Sequence, residues 1–225
     1  MCAEAADHHG LRAWIAGLQS MIAYWAKQPR EALRHAQRGA PFAETARSSA
    51  SVWLAANEAR AWAAVGNADQ TQAAIARADA AWSRVEPDDL DDLGGIASFS
   101  RSRQLYYAAD ALAVLPSAVP GAMDYAQRAT EAYADPMHED YAFSDHAGSR
   151  CDLAVARLQA RDLDGAAEAL TPVLALPPQQ RINGIIHSVN RVHDALSPLG
   201  DSAAAVTLQE EIETYIRTPL AALPR

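Results

Sequence analysis

Residues 153–178, LAVARLQARDLDGAAEALTPVLALPP, decide the fold. Leu153, Ala154, Ala156, Arg157 and Leu158 read as the back half of one helix. Arg161-Asp162-Leu163-Asp164 is a tight turn. A second, antiparallel helix then sets Ala166, Leu170 and Val173 on one stripe at helical spacing. Pro177-Pro178 stops it. Neither helix buries its stripe alone, so the unit reads as a hairpin that must stack on a neighbour.

Working outward, the same small anchor recurs in every second helix, at Ala32, Ala74, Ala122, Ala166 and Ala205, with spacings from 39 to 48 residues. A first helix over 11–28 carries Leu11, Trp14, Ile15, Leu18, Ile22 and Trp25. Pro29 suits the first position of a second helix, which holds Ala32, Ala36 and Gly39 and ends before Pro41. A third spans 44–65, closed by Gly66 as a left-handed cap, and Asp69 reads as N-cap of a fourth over 70–84. A fifth covers 97–115, and a sixth carries Ala122, Ala126 and Ala129 and stops before Pro136. The opening hairpin lies at about 147–176. A ninth helix spans 179–196 and a tenth 201–217. The expected fold is all-α: an antiparallel helical-hairpin solenoid of about five hairpins, ten helices, as one repeat domain over 11–217 with tails at 1–10 and 218–225. The unit resembles a tetratricopeptide (TPR) repeat, but its spacing is longer than the roughly 34 residues of that repeat.

Composition narrows the function. Half of the 225 residues are hydrophobic, largely alanine, and only 7% are aromatic, which implies close helix contacts through small side chains. A net charge of −9 repels phosphate backbones and argues against direct nucleic-acid binding. No apolar run reaches the ~18–20 residues of a membrane span. MCAEAADHHG has no basic region or apolar stretch of a signal peptide, so a cytoplasmic location is expected. Cys2 and Cys151 make no disulfide framework.

Candidate chemistry is thin. Adjacent His8 and His9 share no helix face and have no third ligand nearby in sequence. His138, Glu139, Asp140, Asp145 and His146 match no metal-binding spacing and read as a polar loop. The acidic stretch 86–92, with Asp88, Asp89, Asp91 and Asp92, lacks calcium-loop spacing and reads as a solvated loop. Cys151 sits on an inner helix with no positioned base. No catalytic residue, metal site or cofactor is expected.

The inner helices carry polar and aromatic residues beyond the needs of a core. These are Trp14 and Tyr24, then Trp53, Asn57 and Arg60, then Arg103, Gln104 and Tyr107, with Arg150 and Asn190 further on. Arginines and aromatics on one concave face suit a carboxylate, a peptide terminus or a flat organic ligand. The bland alternative packs the aromatics in the core and pairs arginines with Glu58 or Asp110.

Several segments resemble one family: YWAKQPREALRHA (24–36), VWLAANEARAWAAVGNADQ (52–70), RQLYYAADALAVLP (103–116), AGSRCDLAVARL (147–158) with DLDGAAEAL (162–170), and LPPQQRINGIIHSVNRV (176–192). They are similar to the C-terminal TPR-like region of actinobacterial XRE-type helix-turn-helix regulators, over nearly the whole chain. That family carries an N-terminal DNA-binding domain. Met1 here leads directly into repeats, so DNA binding is not carried over. The expectation is a non-enzymatic regulatory sensor or interaction module taking a peptide, protein or small ligand in its groove, with a homodimer through an exposed terminal repeat. The alternative is an enzyme of a biosynthetic pathway using an arginine-lined groove, which requires Arg60, Arg103 and Arg150 to converge on a closed pocket.

Overall fold

The computed structural model describes residues 7–199 and 202–217. The sequence-based readings for residues 1–6 and 218–225 lie outside that range. Ten α-helices follow among the described residues: α1 (His9–Trp25), α2 (Pro29–Ala43), α3 (Ser49–Ala64), α4 (Ala68–Trp82), α5 (Arg101–Ala113), α6 (Val119–Ala132), α7 (Phe143–Gln159), α8 (Leu163–Leu174), α9 (Asn183–Leu196) and α10 (Ala203–Arg217). They pair as five antiparallel hairpins. The odd-numbered helices form an inner layer, each packed on its own partner and on the next inner helix.

The anchor alanines explain the pairing. Ala32, Ala74, Ala122 and Ala166 are completely inaccessible, and Ala205 nearly so. A methyl group at these points lets two helix backbones approach closely. The same demand places glycine where even a methyl does not fit: a Cβ on Gly17 would lie 2.1 Å from Trp53 Nε1, and one on Gly39 would lie 2.5 Å from Ala16 Cβ. In the opening stretch, Arg161 takes φ +66° and Asp162 caps α8, its carboxylate accepting from Gly165 N–H at 2.9 Å. Gly66 adopts φ +77°, the left-handed cap expected after α3.

Three local readings are corrected. Helix α2 runs through Pro41 to Ala43, because a missing N–H so near the end removes only one bond and Glu44 N–H still reaches Ala40 O at 3.1 Å. The N-cap of α4 is Asn67, whose Oδ1 accepts from Gln70 N–H at 3.1 Å; Asp69 lies in the first turn, where its charge suits the helix dipole. The acidic loop is only partly solvated. Asp88 Oδ1 accepts from Leu90 and Asp91 N–H, and Asp91 Oδ2 accepts from Ser49 N–H at 3.1 Å, so this loop caps α3 from outside. The buried face of α1 is made of Gly10, Ala13, Ala16, Gly17, Ser20 and Ala23.

Candidate functional site

The inner layer curves until its first and last helices meet. The Trp25 ring of α1 lies 5.5 Å from the His187 ring of α9, edge to face. Inside this curve every inner helix contributes one polar side chain to a continuous chain of contacts. Tyr24 comes from α1, Arg60 from α3, Asp110 from α5, Asp152 from α7 and Arg191 from α9.

Asp110 is the hub. Arg60 Nε donates to its Oδ2 at 2.6 Å, Arg191 donates to its Oδ1, and the Tyr24 hydroxyl donates to Oδ2 at 3.4 Å. The Arg60 guanidinium sits between the rings of Tyr24 and Tyr107, 4.3 and 4.4 Å from their centroids. A planar cation between two aromatic faces is strongly held once water is excluded. Arg191 Nη2 also lies 3.0 Å from Asp152 Oδ1, an ionic approach without hydrogen-bond alignment, and Asp152 Oδ2 is buried with no partner.

Burial and charge set the protonation of this cluster. Burial alone would raise the Asp110 carboxyl, but the two arginines overrule it and hold it below the usual carboxylate range. Asp152 goes the other way. Burial pushes it up, Arg191 compensates only in part, and neighbouring Asp110 adds repulsion. Burial likewise raises the Tyr24, Tyr106 and Tyr107 phenols, keeping them neutral donors.

Next to this chain is an open cleft of about 640 Å³, lined by Tyr24, Trp25, Lys27, Pro29 and Ala64 on one side and Asn183, Gly184 and His187 on the other. Its volume is that of a small-ligand site. Lys27 is the sole lysine of the chain. Burial and nearby Arg191 lower the His187 imidazole, leaving it neutral.

The expected groove residues divide. Tyr24, Arg60 and Tyr107 meet in the cluster. Trp14 and Trp53 stack with centroids 4.7 Å apart and close the groove floor towards Phe99. Asn57 is buried and donates to its own helix at Trp53 O. Gln104 turns away from the groove and donates to Asp79 of α4 at 2.9 Å. Arg103 pairs with Asp145 at 2.9 Å, and Arg150 Nε lies 3.1 Å from His146 Nε2. Asn190 is exposed and donates to Ile186 O. Arg60, Arg103 and Arg150 therefore do not converge. Asp152, Arg191, Trp25, Lys27 and His187 were missed. Asp110 carried a readable signal, a lone carboxylate inside a run of small apolar residues, Ala108 to Ala113.

Among the described residues one further group, His8 with Asp88 and Asp89, gathers potential metal ligands. His8 Nδ1 already accepts the Leu11 N–H at 3.0 Å, so Nε2 carries the ring proton and donates to Asp89 at 2.8 Å. A neutral imidazole in that tautomer has no lone pair left for a metal. Cys151 is buried, and burial pushes its thiol far up, away from nucleophilic use.

Two solved structures share this architecture. Both are of a kinesin light chain protein of Podosopora anserina with nearly identical TPR-like repeats, one of them a single-substitution form. They superpose with TM-scores of 0.60 and 0.61 at 16% identity, over 92% of this chain and 96% and 95% of theirs. The fold is TPR-like. No family model matches the sequence, and no curated protein does. The TPR-like solenoid described here is all-helical among its described residues, and none of those helices is long and apolar enough to cross a membrane.

Proposed function

We propose that this chain is a non-enzymatic TPR-like sensor or interaction module. It binds a carboxylate-bearing peptide end or small organic ligand in the cleft between the first and fifth hairpins. The observation that carries this reading is the cleft itself: the only lysine, two aromatic rings and a neutral imidazole surround about 640 Å³ of open space. Lys27 supplies the charge for a carboxylate, Trp25 and Tyr24, their rings nearly perpendicular, an aromatic corner, and His187 a hydrogen bond. A ligand there bridges α1 and α9, the two ends of the inner layer. Binding would therefore favour one curvature of a solenoid whose hairpins couple only to neighbours. The similarity to the repeat region of XRE-type regulators supports a regulatory role for that shift. Catalysis has less support, because Arg60, Arg103 and Arg150 end on three different partners.

The test is a thermal-shift and tryptophan-fluorescence screen of carboxylate-terminated peptides and aromatic acids. Wild type and the Lys27→Ala and His187→Ala variants are compared. A ligand that stabilises wild type and loses at least tenfold in affinity with Lys27→Ala supports the reading. Ligands that bind all three proteins equally, or none at all, sink it.

A further inference from the structure

The two ends of the solenoid differ. At the far end, α10 exposes mainly polar residues, Thr207, Glu210 and Glu211, with Val206 the one large apolar side chain exposed on it. At the near end, α1 turns outward Ile15, Leu18 and Ile22, which are 38, 39 and 58% exposed, with half-buried Leu11 on the same line, while Trp25 turns to the cleft and His187. The buried face of α1 is the small one, Ala13, Ala16, Gly17, Ser20 and Ala23, on the opposite side of the helix. Positions 11, 15, 18 and 22 alternate by four and three residues. That is the spacing of a two-helix seam, continuous over the ~18 Å that residues 11–22 span. Repeat proteins expose an apolar terminal face only where something covers it.

We propose that the cover is a second copy of this chain, paired α1 against α1 about a two-fold axis with the helices antiparallel. Charge decides both partner and direction. The acidic loop packs at the start of α1, with His8 bonded to Asp89, and brings Asp88 and Asp92 with it. Lys27 and Arg30 follow the end of α1. An antiparallel pair sets the acidic loop of each copy against the basic end of its partner, twice over. A parallel pair would set acid against acid. The seam is self-complementary about the point midway between Ile15 and Leu18, so Leu11 meets Ile22 and Ile15 meets Leu18 in the partner, as an isologous contact requires. The patch belongs to the few-hundred-Å² class that marks interaction sites on monomers. Doubled, a patch of that class lies near or below the lower end of specific interfaces, about 1,200 Å², so the pairing is a weak one to be sought over the micromolar range.

Sedimentation velocity and light scattering across that range test the pairing independently of any cleft ligand. The expected result is a concentration-dependent dimer for wild type and monomers for Leu18→Glu and Ile22→Glu, both with unchanged circular dichroism because these side chains face outward. Arg30→Glu should weaken the dimer several-fold at low salt, and adding Asp89→Lys to that variant should restore it. A strictly monomeric wild type overturns the proposal, as does a dimer that both glutamate variants retain. A photocrosslinker attached at Leu18→Cys, in a Cys2→Ser background, should join two chains. A crosslink to residues 218–225 of its own chain overturns the pairing as well.

Discussion

Arg60 Nε lies 2.6 Å from Asp110 Oδ2, and both side chains are at least 96% buried. This pair joins the second hairpin to the third from inside the curve, and Arg191 of the fifth hairpin meets the same carboxylate.

Removing that carboxylate strands two cations. Asp110→Ala leaves Arg60 and Arg191 buried with only Asp152 to share, and should destabilise the fold by about 3–5 kcal/mol. Urea unfolding checks this. Loss of under ~1 kcal/mol would mean that water already reaches the cluster.

The two aspartates make the cluster respond to pH in opposite senses. Asp152 has a raised value in the folded chain, so the folded state holds its proton more tightly than the unfolded one. Its contribution to stability is greatest below the ordinary carboxylate value of about 4 and declines as pH rises towards neutrality. Asp110 has a lowered value, so its contribution is present above the ordinary carboxylate value and is lost as pH falls below it. Asp152→Asn should flatten the decline in denaturant midpoint between pH 4 and neutrality, and leave the acid limb intact. An unchanged profile would show that Arg191 fully compensates Asp152.

Glycine substitutions should change sign with position. Gly17→Ala drives a Cβ into the Trp53 ring and should lose about 1–3 kcal/mol. Gly184 lies in α9 with open space around its Cβ direction, so Gly184→Ala should gain about 0.5–1 kcal/mol. Melting temperatures of the two variants, shifted in opposite directions, check the packing of α1 on α3.

Cys151 should behave as a reporter of opening. It is 1% exposed and its thiol is pushed up by burial. In a Cys2→Ser background, a thiol reagent at neutral pH should react only at the rate at which the fourth hairpin opens, and fully in denaturant. Rapid labelling of the native chain would contradict the tight packing of α7.

Much of this was legible beforehand, for identifiable reasons. Asp162, Gly66 and the proline pair at 177–178 act on the residues next to them, and their effect survives in any context. The anchor alanines are legible because each sits at a fixed turn of its own helix. Pro41 misled because a proline near a helix end removes only one bond, and sequence does not say whether the last turn tolerates that. The apolar line on α1 shows a second limit. Periodicity identifies which residues share a face, but which face points inward depends on what packs against it. Here the small residues won, since only they allow α2 and α3 to approach.

The sequence alone therefore determined the hairpin array, ten helices among the described residues, because hairpins form through contacts between neighbours in the chain. Only the tertiary structure decided the candidate site. Asp110 and Arg191 are 81 positions apart. They meet because small rotations between successive hairpins add up until α9 returns to α1, and no local pattern records that sum.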